Sequence, residues 1–170
     1  NHMSDQYYGW WSKPGGGLYL LRGFTPDSPP GQCITTAFKE PGSFLRPTLS
    51  YDGTKVLFAW CRHYEHLAAE TNKLDKANVP EDAFFHLFEM NLDGSGVRQL
   101  THGKYDNFDA RYLPDGRLVF LSTRRGQAIQ VGKASAAATL AKDDLPDCYV
   151  RCGGGAERPV AVYTLHTMNA

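Results

Sequence analysis

Ser50 to Trp60 reads SYDGTKVLFAW, and Leu113 to Thr123 reads LPDGRLVFLST. Placing Asp52-Gly53 over Asp115-Gly116 brings Lys55-Val56-Leu57-Phe58 onto Arg117-Leu118-Val119-Phe120, with one extra residue in the first turn. Each copy has an approach strand, an Asp-Gly corner and an apolar strand. Asp-Gly supplies the positive φ that a tight hairpin turn demands. The chain therefore writes one hairpin twice.

A second hairpin alternates with the first. His86 to Thr101, HLFEMNLDGSGVRQLT, sets an apolar strand before Asp93-Gly94 and another after it. Gly17 to Leu21, GLYLL, matches its first half, and Tyr163 to Ala170, YTLHTMNA, matches it again with Leu165, Met168 and Asn169 over Leu87, Met90 and Asn91. Two consecutive hairpins make a four-stranded antiparallel meander, the unit of a β-propeller blade. The expected fold is all-β, with about two and a half such blades. Closed propellers run from about four to eight blades, so the segment reads as part of a larger propeller. Assembly from several copies and an open stack of sheets are the alternatives.

NLDGSGVRQLTHG and FDARYLPDGRLVFLSTR resemble the TolB-type propeller repeat, whose strand pairs read roughly vDxDGsgxrxLT and DxxPxWSPDGxxIaFxSxR. The likeness covers residues 84–125 well and 43–60 moderately. KPGGGLYLL, SFLRPTLSYDGTKVLFAW, FHLFEMNLDGSGVRQLT, FDARYLPDGRLVFLSTRRG and RPVAVYTLHTMNA together look like planctomycete-type proteins related to the hydrazine synthase alpha subunit. That resemblance implies a periplasmic or secreted protein in which propeller and haem-bearing regions are combined. The haem-attachment pattern C-x-x-C-H is missing from this sequence, so hydrazine chemistry is not carried over.

The 63 positions from Asp52 to Asp115 exceed the roughly 40 to 45 of such a blade. The excess lies at residues 62–82, where Leu67 and Leu74 suit a short amphipathic helix. A second insertion at 126–158 holds the Ala-rich SAAATLAKDD and the loop CGGGAERP. Both follow the same strand of the repeat, so both are expected on one face as neighbours forming a cap or rim. Residues 1–12 combine a cloning remnant, Asn1-His2-Met3, with the aromatic run QYYGWW; residues 13–170 form the partial propeller.

Eighteen basic and 18 acidic side chains leave no net charge. Without a field to attract phosphate backbones, nucleic acid is not an expected partner. No run of 18 apolar residues is present to insert into a membrane. With 42% hydrophobic and 21% charged residues the composition is globular.

Three groups of residues could carry chemistry. Cys61, His63 and His66 offer thiolate and imidazole ligands suited to zinc or another transition metal, though their spacing matches no established zinc motif. The plain alternative for Cys61 is a small buried hydrophobe. Arg46, Asp106, Asn107, Asp109 and Arg111 precede or occupy inner strands, where they could bind a small anion or a peptide terminus. Alternatively, the carboxylates satisfy turn amides and pair with Arg124 or Arg125. Cys148 and Cys152 could staple their loop or stay free thiols. No nucleophile elbow or His-Glu-x-x-His occurs.

The leading expectation is a non-catalytic propeller segment of an exported protein, which binds a protein or small-molecule ligand or serves as a scaffold. Its partners would include the remainder of the propeller or further copies. The alternatives are the propeller portion of a haem- or metal-dependent redox enzyme, as the resemblance implies, and the propeller gate of a peptidase.

Overall fold

A computed structural model describes residues 13–68, 79–124, 128–129, 160–161 and 163–170. The strands are β1 (Tyr19–Leu20), β2 (Gln32–Cys33), β3 (Gly42–Leu49), β4 (Lys55–Arg62), β5 (His86–Asn91), β6 (Arg98–Gln99), β7 (Asn107–Tyr112), β8 (Arg117–Ser122), β9 (Ala128–Ile129), β10 (Val160–Ala161) and β11 (Thr164–Asn169). All sheets are antiparallel, with two to four strands, and none closes on itself. No helix reaches seven residues among the described residues.

The central sheet runs β3-β4-β5-β6 and the third sheet β11-β8-β7. Their registers are the same. Lys55 pairs with Asn91, Val56 with Met90 and Phe58 with Phe88 in the central sheet. The third sheet pairs Arg117 with Asn169, Leu118 with Met168 and Phe120 with His166. Those are the partners that the repeat alignment sets over one another.

The first hairpin, β1–β2, copies the outer pair β5–β6. Tyr19 faces Cys33 and Leu20 faces Gln32, as Phe88 faces Gln99 and Glu89 faces Arg98. Ile34 N–H donates to the Leu18 carbonyl (2.9 Å), as Leu100 N–H donates to that of Leu87 (2.8 Å). Leu18 N–H donates to Thr35 Oγ1 (3.1 Å), and Leu87 N–H to Thr101 Oγ1 (2.9 Å). A threonine just past the second strand thus takes the amide that the short ladder leaves over, as a buried donor requires.

The Asp-Gly corners fold as local chemistry dictates. Asp52 Oδ1 accepts from Thr54 N–H (3.1 Å), Asp93 Oδ1 from Ser95 N–H (2.8 Å) and Asp115 Oδ1 from Arg117 N–H (3.1 Å). Each aspartate serves the amide two residues on. Gly53 and Gly116 follow in the left-handed region, at φ 67° and 84°. The two copies also share an irregularity. Register shifts between Leu45 and Thr48 in β3, and between Phe108 and Arg111 in β7. At each shift one residue that is not glycine takes positive φ: Arg46 at 49° and Asp109 at 56°. Both strands border their sheets, and a bulge bends such a border away from straight pairing.

The sheets stack in one sense. Val56, Phe58, Phe88 and Met90 turn back toward the first hairpin, whose Leu18 and Leu20 pack on them with Ile34 and Phe38. Leu57, Ala59, Cys61, Phe85 and Leu87 turn forward and form one core with Ala110, Leu118 and Phe120 of the third sheet. Phe38 plugs the first joint, with its ring centroid 5.3 Å from Phe44, 5.6 Å from Phe58, 5.1 Å from Trp60 and 5.2 Å from Phe88. Edge-to-face contact at these spacings adds to the area such rings bury.

Of the insertion at 62–82, the described parts are two single turns of 3-10 helix, Glu65–Ala68 and Glu81–Ala83. Leu67, Val79, Ala83 and Phe84 make a small separate core there. Leu74, most of the insertion at 126–158 and the QYYGWW run lie outside the described residues. Tyr163, where the chain returns from the second insertion, packs against that small core, which brings the exit of one excursion to the other.

Candidate functional site

Register fixes which connections share an end of the stack. Arg62 pairs with Gly42, Trp60 with His86, and Ser122 with both Asn107 and Thr164. The insertions therefore leave from the end at which β3, β5, β7 and β11 begin, opposite the Asp-Gly corners. A cavity of about 540 Å³ opens among the described residues where the first hairpin hands over to β3. Gly15, Gly16 and Gly17 form one wall, Cys33, Thr35 and Lys39 another, and Phe44 the floor side. A Cβ on Gly17 would stand 3.2 Å from the Tyr19 ring and 3.4 Å from Thr35 Oγ1, so the bare backbone leaves that space open.

Cys33 is half-buried and its thiol is free. Hydrogen bonding with the Thr35 side chain, 3.6 Å away, is the main cause that holds its pKa below the ordinary thiol value. Beside the cavity, Arg62 reaches Glu40 at 2.6 Å and Asp82 at 3.8 Å. Tyr64 Oη donates to Asp82 Oδ1 (2.7 Å), and the Arg62 guanidinium lies 5.0 Å from the Tyr64 ring centre. This chain of charges ties the handover segment to the first insertion.

The metal candidates are placed apart in role. Cys61 is fully buried in the core between the second and third sheets. His63 donates its backbone N–H to the Pro41 carbonyl (2.7 Å), and the exposed His66 ring lies 5.7 Å from that of Tyr64. Among the described residues no group of three or more His, Cys, Asp or Glu side chains is gathered to hold a metal ion. Cys148 and Cys152 fall outside the described residues.

The polar candidates divide. Asp106 and Asn107 are completely buried. Asp106 Oδ1 accepts from Phe85 N–H (2.9 Å), and its backbone N–H donates to Thr123 Oγ1 (3.1 Å). Asn107 Nδ2 donates to the carbonyls of Phe85 (3.2 Å) and Tyr105 (2.9 Å). Its Oδ1 accepts from Ser122 Oγ (2.8 Å) and from Arg124 (2.9 Å). These bonds clamp the segment leading into β5 to the start of β7 and the end of β8. Arg46 and Arg111 are exposed, and Arg111 pairs with Asp109 at 2.8 Å. Asp106 and Asn107 thus form a buried clamp, Asp109 and Arg111 an ion pair at the β7 bulge, and Arg46 lies at the β3 bulge.

Two features escaped the sequence reading. The cavity depends on a turn of chain meeting a glycine run, and GGG without a following helix carries no motif. Glu89, inside an apolar strand, is nearly buried between the second and third sheets. It takes Lys55 at 3.0 Å, Arg98 at 3.1 Å and Tyr112 Oη at 2.9 Å. Burial works to raise its pKa, and the hydrogen bonds from Lys55, Tyr112 and Arg98 overcome that and hold it below the ordinary value. Burial, then the bond to Glu89, push the Tyr112 phenol up. The alternation of charge with apolar residues in HLFEMN was the available signal.

Among the described residues no helix is long and apolar enough to cross a membrane. No protein-family model matches the chain, and a search of curated proteins finds no match.

Proposed function

We propose that the chain is a β-propeller-type segment of an exported protein that acts by recognition: it binds a small molecule or a peptide at the insertion-bearing end. One observation carries the reading. A single pattern of strand register and threonine-to-amide bonding recurs from sheet to sheet, and successive sheets stack in one sense. Repetition of that kind makes a rigid framework whose connections are free to vary, and binding residues concentrate on such connections. The cavity between Gly15–Gly17 and Cys33–Lys39 lies at that end, rimmed by the first insertion. Its volume is within the usual range of small-ligand sites. The periplasmic or secreted location belongs to the same proposal and is supported by the resemblance to planctomycete-type proteins related to the hydrazine synthase alpha subunit.

Amide-shift mapping of the isotope-labelled chain against amino acids, tripeptides and monosaccharides tests it. Saturable shifts confined to residues 15–17 and 33–39, and abolished in Thr36→Trp, are the expected result. Shifts scattered over the Asp-Gly end, or no saturable shift with any probe, would reject recognition at this cavity.

A further inference from the structure

We infer that the cavity beside Gly15–Gly17 takes a small monocarboxylate with an apolar body, either a free organic acid or the C-terminus of a peptide that ends in an apolar residue. The inference rests on the recognition reading above and adds the ligand class. Charge makes the first selection. The described lining holds one lysine, Lys39, and one acid, Glu40. Glu40 is neutralised by Arg62 at 2.6 Å. Among the described residues Lys39 enters no ion pair. The cavity therefore offers one ammonium and no spare carboxylate. A cation or a zwitterion would find no counter-charge there for its positive group. A phosphate monoester carries about −1.5 to −2 charges at neutral pH, more than a single lysine balances. A monocarboxylate matches.

Backbone and shape make the second selection. Among the described residues the amides of Gly15, Gly16 and Gly17 donate to no carbonyl, so their partner is water or a ligand oxygen. These N–H groups, with no side chains to cover them, and the Lys39 ammonium are the donors that a carboxylate needs. Apolar cover comes from another side. Phe38 and Phe44 line the cavity and are only half-buried, and their rings meet edge to face at 5.3 Å. The Phe44 ring lies 3.5 Å from where a Gly16 Cβ would stand, so the glycine wall and the aromatic floor adjoin. A ligand with an acid at one end and a hydrocarbon body fills both regions at once. Burial of the body supplies affinity, and the acid fixes orientation and supplies the choice.

Four probes test the assignment: hydrocinnamate, its primary amide, N-acetyl-Gly-Gly-Phe, and the C-terminal amide of that peptide. In amide-shift titrations of the labelled native chain, at least one acid is expected to give saturable shifts at residues 15–17 and 33–39. Its matching amide is expected to bind about tenfold more weakly, for want of one charge-assisted hydrogen bond. Lys39→Gln, at an exposed position, should weaken the acid about tenfold and leave the amide unchanged. Binding of hydrocinnamate marks a free organic acid as sufficient, and binding of the peptide acid alone marks a peptide terminus.

Equal binding of acid and amide, or an acid affinity untouched by Lys39→Gln, overturns the carboxylate assignment and leaves the recognition reading standing. Silence from both acids overturns the assignment as well, and monosaccharides titrated into the same sample then decide the rest. Saturable shifts from a sugar at the same residues keep recognition at this cavity; none from any probe removes it too.

Discussion

At the scale of single residues, glycines that look alike in the sequence carry different loads. Gly53 and Gly94 both follow aspartate and both take positive φ, but a Cβ on Gly53 would meet nothing within 4 Å. On Gly94 it would stand 2.6 Å from the Ile34 carbonyl oxygen, because this corner rests on the preceding hairpin. Gly53→Ala is expected to cost about 1 kcal/mol, the strain of the left-handed region alone. Gly94→Ala is expected to cost about 3 kcal/mol in urea denaturation, since overpacking adds to that strain. His86 supplies a second residue-level expectation. It is buried, with Nε2 3.0 Å from the Glu81 carbonyl and Nδ1 3.5 Å from Thr101 Oγ1, whose oxygen already accepts from Leu87 N–H. Burial is the main cause that lowers its pKa from the ordinary 6.5. The unfolded chain then binds the proton more readily than the folded one, so this contribution to stability is present at neutral pH and declines as pH falls below about 6.5. Denaturant midpoints measured from about pH 7 to 5 should fall in the native chain and flatten in His86→Gln. Equal slopes would show that His86 does not set the dependence.

Elements depend on what closes their joints. Phe38 lies in no strand, yet its ring touches four others and seals the rear of the central sheet. Phe38→Ala is expected to cost about 2 to 3 kcal/mol, somewhat less than a fully buried phenylalanine would. Exchange protection should fall first at Leu18, Leu20 and Ile34, while the amides of β7 and β8 hold. A uniform loss would mean that the first joint does not open by itself. The strands were legible in the sequence because Asp-Gly corners and alternating apolar residues report short-range geometry. Register was legible for the same reason: alignment of LHTMN with LFEMN already set Met168 where Met90 stands. The bulges were not. Arg46 and Asp109 share no residue type, and the left-handed turn they make comes from strand pairing rather than from their own preference. Asp106 and Asn107 stand out in the sequence, but sequence cannot tell a buried clamp from a ligand site, because both call for polar side chains beside a strand. The cavity depends on contact between segments far apart along the chain, and no local pattern encodes that.

At the scale of the whole molecule, apolar packing and several polar links join the central and third sheets among the described residues. Glu89 of the central sheet and Tyr112 of the third meet at 2.9 Å, while Tyr51 Oη donates to the Tyr112 carbonyl (3.0 Å). If this link couples the sheets, Glu89→Gln and Tyr112→Phe will be non-additive by about 1 to 2 kcal/mol in a double-mutant cycle. Strict additivity would show that the Glu89–Tyr112 bond does not couple the two sheets. A different consequence follows from the paired bulges. Lateral growth by a foreign strand needs a straight run of vacant amides and carbonyls. The kinks at Arg46 and Asp109 deny that run on one side of each large sheet, and on its other side the central sheet ends in a strand only two residues long. Thr164–Asn169 has a straight six-residue ladder on its paired side and no kink. Among the described residues, fibril formation from a loosened chain is therefore favoured at this edge.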